Sequence, residues 1–167
     1  MKKIIAIAIV LCIFAYMPMV SSETDTVTGT FTPVPTGVSI ECNNTSPAFG
    51  NINLGESKEK AGFNVTNEGD VNCSVKMTAE DGAGTWTLVA GTASPATTNQ
   101  YCVNMDPADT GYVDVFTEQT VKADLPPSGS GANYTKFDLK VFISDYTSEG
   151  TPAQQTFYAN LTAAALT

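Results

Sequence analysis

The sequence predicts an all-β protein, an immunoglobulin-like or jelly-roll-like antiparallel β-sandwich of about 8–10 strands. Three observations carry that expectation. From Glu23 onward the chain is rich in Thr, Val, Ser and Gly. Turn clusters recur roughly every 8 to 12 residues, the spacing of short strands. No stretch sustains the 3.6-residue apolar period of a helix.

The N-terminus reads differently from the rest. Lys2 and Lys3 precede the apolar run Ile4–Tyr16, and Val20, Ser21 and Ser22 lead to the acidic Glu23. A positive end, a short greasy core and a small-residue exit have the layout of a secretory signal peptide, assigned to 1–22. The run is shorter than the ~20 residues that span a bilayer, so no stable membrane span is expected after cleavage. Residues 23–36 form an N-terminal extension. The sandwich domain is assigned to 37–167.

Within the exported part the candidate strands are Thr26–Thr32, Gly37–Cys42, Phe49–Leu54, Ala61–Thr66, Val71–Thr78, Thr85–Val89, Gln100–Met105, Tyr112–Lys122, Tyr134–Ser144 and Gln154–Thr162. The clearest hairpin joins Phe63–Thr66 to Val71–Met77 through Asn67-Glu68-Gly69-Asp70, with Gly69 supplying a positive φ. Alternation places Phe63, Val65, Val71, Cys73, Val75 and Met77 in the core, and Asn64, Thr66, Asn72, Ser74 and Lys76 in water. Phe137, Leu139, Val141 and Ile143 form a second inward series, and Phe157, Ala159 and Leu161 a third. Phe142 breaks the outward polar series. Trp86 reads as a core plug. Leu125–Gly131, bound by Pro126 and Pro127, is a surface loop.

Composition excludes several function classes. The formal charge is −9; without Lys2 and Lys3 it is −11 (6 lysines against 17 acids). Such a surface repels phosphate, so nucleic acid is not an expected partner. There is no arginine for bidentate anion recognition, and no histidine for acid–base catalysis or metal ligation. No enzymatic activity, cofactor or metal is expected. Asp106, Asp109 and Asp114, like Glu80 and Asp81, read as solvated acidic loops, their spacing fitting no established calcium loop.

Beyond Cys12 in the leader there are three cysteines, Cys42, Cys73 and Cys102. Strand parity turns Cys42 and Cys73 inward and Cys102 outward, which favours a Cys42–Cys73 disulfide closing a loop of about 30 residues. Cys102 is then free, buried by a neighbouring loop or paired between molecules. Six glycosylation sequons occur, at Asn43, Asn44, Asn64, Asn72, Asn133 and Asn160. Asn64, Asn72 and Asn160 fall on the face that alternation assigns to solvent.

The run Phe49-Gly50-Asn51-Ile52-Asn53-Leu54-Gly55, followed by Phe63-Asn64-Val65-Thr66-Asn67-Glu68-Gly69-Asp70-Val71, resembles a pattern of secreted immunoglobulin-like sandwich proteins on archaeal and bacterial surfaces. Trp86-Thr87-Leu88 is similar to the first Trp-x-Leu element of WxL surface domains, and Tyr158–Thr162 to their closing strand. Ala163-Ala164-Ala165-Leu166 stands where the second Trp-x-Leu belongs. The leader and small all-β body also resemble camelysin-like biofilm-fibre subunits, in which one subunit's N-terminal strand completes the next subunit's sheet. These resemblances imply an extracellular structural role.

The functional expectation is therefore a secreted, cell-surface subunit of a filament, pilus-like fibre or surface layer, polymerising with itself through its N-terminal strand. Thr26–Thr32 is β-prone and followed by Pro33 and Pro35, with Val27 and Phe31 as candidate anchors. The alternative is a monomeric adhesin that grips cell-surface glycans or proteins through the loops Asn104–Asp114 or Pro126–Asn133.

Overall fold

The computed structural model describes residues 37–150 and 153–166. The expected leader, the 23–36 extension and the candidate strand Thr26–Thr32 with its candidate anchors Val27 and Phe31 lie outside the described residues. Within them are nine strands and no helix: β1 (Ile40–Cys42), β2 (Ser57–Asn67), β3 (Cys73–Asp81), β4 (Thr87–Leu88), β5 (Gln100–Pro107), β6 (Val113–Asp114), β7 (Gln119–Leu125), β8 (Tyr134–Ile143) and β9 (Phe157–Ala165).

They form two sheets. One has the order β1-β2-β8-β5-β4, with β6 also paired to β5; the other is β7-β3-β9. Every pair is antiparallel except the short β4–β5 pair. The expected sandwich is the observed fold.

Alternation explains the core between the sheets. Phe63 and Val65 on β2, Phe137, Leu139 and Val141 on β8, and Tyr101, Val103 and Met105 on β5 meet Cys73, Val75, Met77 and Ala79 on β3 and Val121 and Leu125 on β7. Each large apolar side chain so buried contributes about 1.5–3 kcal/mol. Phe63 and Phe137, directly opposite in register, stack with centroids 5.1 Å apart. That stack becomes possible after a bulge between Lys60 and Phe63, where Gly62 takes φ +85°.

Several sequence expectations are corrected. Phe63–Met77 is not a hairpin, because β2 and β3 belong to different sheets. The connection between them is an arch organised by Asn67, which is fully buried. Its Nδ2 donates to the carbonyls of Val71 (2.9 Å) and Leu125 (3.1 Å), and its Oδ1 accepts the Gly69 N–H (2.9 Å). Alternation survives this change because both strands point their apolar faces at the same core. Gly69 is needed for close approach and not for a positive φ: a Cβ there would lie 2.0 Å from the Gly37 carbonyl oxygen.

Phe49–Leu54 forms no strand; Gly50 at φ +68° bends it, and its main chain finds no ladder. Tyr112–Lys122 is two strands, β6 and β7, in different sheets. Buried Val115 marks the crossing: its N–H donates to Val103 on β5 (3.2 Å) and its carbonyl accepts from Ala79 on β3 (2.7 Å).

Candidate functional site: the open flank beside β9

Strand β9 pairs with β3 over nine residues, from Asp81↔Phe157 to Cys73↔Ala165. Among the described residues it has no partner on its other side. Its inward series Phe157, Ala159, Leu161 and Ala163 is only half-buried, whereas the matching β3 series is fully buried. A long edge of this kind is a template for another strand.

Beside that edge runs a groove of about 1460 Å³. Its floor is the inner face of β8 (Leu139, Val141) with Met77; its walls are β9, Ile40 and Cys42 of β1, and the segment 44–52. That volume exceeds the roughly 300–1,000 Å³ of small-molecule sites, which suits a stretch of polypeptide better than a metabolite.

At the end near Phe157 the groove is held by aromatic and polar contacts. The Phe157 ring lies 5.8 Å from Phe49 and 6.4 Å from Tyr101. Tyr101 donates its hydroxyl to Asp81 Oδ1 (2.8 Å), and the same oxygen accepts the Leu88 N–H (2.7 Å). Burial first, then this bond, pushes the Tyr101 phenol well above its ordinary range, so it stays neutral. Gln155 Oε1 accepts the N–H groups of Thr85 (2.8 Å) and Trp86 (3.0 Å), tying the start of β9 to the Trp86 turn. Trp86 is buried as expected, and its Nε1 has no hydrogen-bond partner among the described residues.

At the opposite end lies the arch, where Ala165 is level with Cys73 and Leu166 N–H donates to Asn72 (2.9 Å). Gly37, the first described residue, is fixed there too. It donates its N–H to Asp70 Oδ1 (2.5 Å) and accepts the Asp70 N–H (3.2 Å).

The expected Cys42–Cys73 disulfide is absent, and Cys42, Cys73 and Cys102 are free thiols. Both Cys42 and Cys73 point inward, but Cys42 sits level with Val65 in one sheet and Cys73 level with Leu125 and Ala165 in the other. Of the alternatives for the outward-turned Cys102, burial by a neighbouring loop is the one observed: its Sγ donates to the Ala93 carbonyl (3.1 Å). Burial, with Asp114 nearby, pushes this thiol up to about 11. Burial raises the Cys73 thiol as well, followed by Asp124. These two are structural cysteines with little thiolate at neutral pH.

The sequons scatter over the surface. Asn44, Asn72 and Asn160 are exposed, but the Asn72 amide donates to Asp124 (2.9 Å). Asn43 continues the β1–β2 ladder with its side chain, donating to Gly62 O (3.2 Å) and accepting the Asn64 N–H (2.8 Å). Asn133 donates to Asn67 O (3.1 Å). Asn64, expected in solvent, is half-covered, and its buried Oδ1 has no hydrogen-bond partner among the described residues. The acidic residues brace loops: Asp106 accepts the Gly111 N–H, and Asp114 those of Gly91 and Phe116. No group of three or more Cys, Asp or Glu suited to a metal occurs among the described residues. No described helix is long and apolar enough to cross a membrane.

Sequence reasoning missed the groove itself. The half-apolar alternation of β9, Phe-Tyr-Ala-Asn-Leu-Thr-Ala, reads like any other strand; only the sheet order makes it an edge. A scan of protein-family models and a search of curated proteins return no match to this chain.

Proposed function

We propose that the protein is an extracellular structural subunit of a filament or surface layer, built by donation of one copy's N-terminal strand to the open flank of the next. The observation that carries this reading is β9: nine residues of edge strand, half-buried on the inward face, beside an apolar groove. Edge addition satisfies the free main-chain groups of β9 and buries its side chains in one step.

The occupant is residues 26–32 of a second copy. In Thr26-Val27-Thr28-Gly29-Thr30-Phe31-Thr32 alternation puts Val27, Gly29 and Phe31 on one face and four threonines on the other. The apolar face suits Ala159, Leu161 and Ile40; the threonines suit solvent. Chain length favours donation over self-closure. The five residue steps from Thr32 to Gly37 reach at most about 18 Å. A strand supplied by the same molecule is therefore tethered to the arch end of the flank, which favours the parallel direction along β9. A neighbour's strand is free to add antiparallel, the more stable arrangement per residue.

Deleting residues 23–32 tests this. The described body keeps its own core, so the truncated chain is expected to remain a folded monomer by circular dichroism and to lose all polymer by size exclusion and electron microscopy. Polymers formed by the truncated chain would overturn the reading. Monomeric full-length protein that binds immobilised glycans through its loops would favour the adhesin alternative instead.

A further inference from the structure

We infer that the incoming strand is gripped on both sides: by β9 on one and by the main chain of residues 47–52 on the other. This rests on the donor-strand reading and specifies the second half of the site.

Segment 44–52 leaves β1, crosses the flank and returns to β2, and all of it lines the groove. Its apolar residues Phe49 and Ile52 are half-buried against the core, and Phe49 touches the start of β9 through Phe157. Its composition is that of a strand, as the sequence alone suggests for Phe49–Leu54. Yet among the described residues no main-chain hydrogen bond reaches residues 47–52; the one polar contact to this main chain is the Lys58 ammonium on the Asn51 carbonyl (3.2 Å). Gly50 takes φ +68°, the left-handed region that a glycine bulge uses to bend a strand without ending its pairing. The same device operates in β2, where Gly62 at φ +85° sits in a bulge inside a continuous ladder.

The groove thus lies between β9 and segment 47–52, each of which, among the described residues, has main-chain N–H and C=O groups without a main-chain partner. One inserted strand joins them. The order of the second sheet becomes β7-β3-β9-donor-(47–52), and the flank closes. Edge removal of this kind leaves the assembled subunit with no long free strand beside β9.

Amide hydrogen exchange on the full mature chain separates this inference from the reading beneath it. Exchange is followed by mass spectrometry in peptides covering 47–54 and 157–165, in polymer and in monomer fractions divided by size. Slowing of at least tenfold in both peptides on assembly is expected, confined in β9 to the alternate amides that face away from β3. Protection of 157–165 alone would overturn the two-sided grip and leave strand donation standing. Protection of neither peptide, or no polymer at all, would overturn both.

Discussion

β3 and β9 lie side by side, each nine residues long and paired along their whole length, yet they live in different environments. β3 is flanked by β7 and β9 and faces the other sheet, and Cys73, Val75, Met77 and Ala79 are fully buried. β9 has the same alternating pattern, but Phe157, Ala159, Leu161 and Ala163 stay half-exposed. The two sequences differ little in hydrophobic rhythm. The difference lies in what covers them, so β9 has burial still to gain and β3 has none.

Substitutions sharpen that contrast. Met77→Ala removes a side chain that is 1% exposed, and a loss of about 2–5 kcal/mol in denaturant unfolding is expected. At the arch, Asn67→Ala strands the carbonyls of Val71 and Leu125 and the Gly69 N–H. At about 1–3 kcal/mol for each group left unpaired, lessened where water enters, a net cost near 2–3 kcal/mol is expected.

Alkaline pH probes the interior strand β5. The Cys102 thiol is raised from 9.0 to about 11 in the folded state, so the unfolded chain releases that proton first. Stability from this group is complete below pH about 9 and falls as pH rises towards 11, by at most about 2–3 kcal/mol. Cys102→Ala should flatten the fall. The smallest effect belongs to the flank: Leu161→Ala should cost the monomer about 1 kcal/mol or less, because its environment is already half water, while weakening the polymer by more. Equal losses at Met77 and Leu161 in the monomer would erase the contrast between the two strands.

The sequence made most of the strands legible because period-2 alternation is a local property. Phe63, Val65, Val75, Met77, Phe137, Leu139 and Val141 are all in the core as that rhythm predicts. Pairing is not local. The turn-like Asn67-Glu68-Gly69-Asp70 suggested a hairpin, and nothing in those residues reveals that the Asn67 side chain will reach Leu125, 58 positions away, and open the turn into an arch. Cys102 shows the same limit: parity turned it away from the core correctly, but the loop that covers it comes from Ala93. The groove was least legible of all, since it is a property of sheet order and of a segment, 47–52, that has strand-like residues without a strand partner.

Complementation in trans measures the flank most directly. A peptide of residues Glu23–Thr32 is added to the chain lacking them, and thermal unfolding is followed. A saturable rise in midpoint is expected, abolished when Val27 and Phe31 of the peptide are both changed to Asp. A midpoint indifferent to the peptide at millimolar concentration would contradict strand donation at β9.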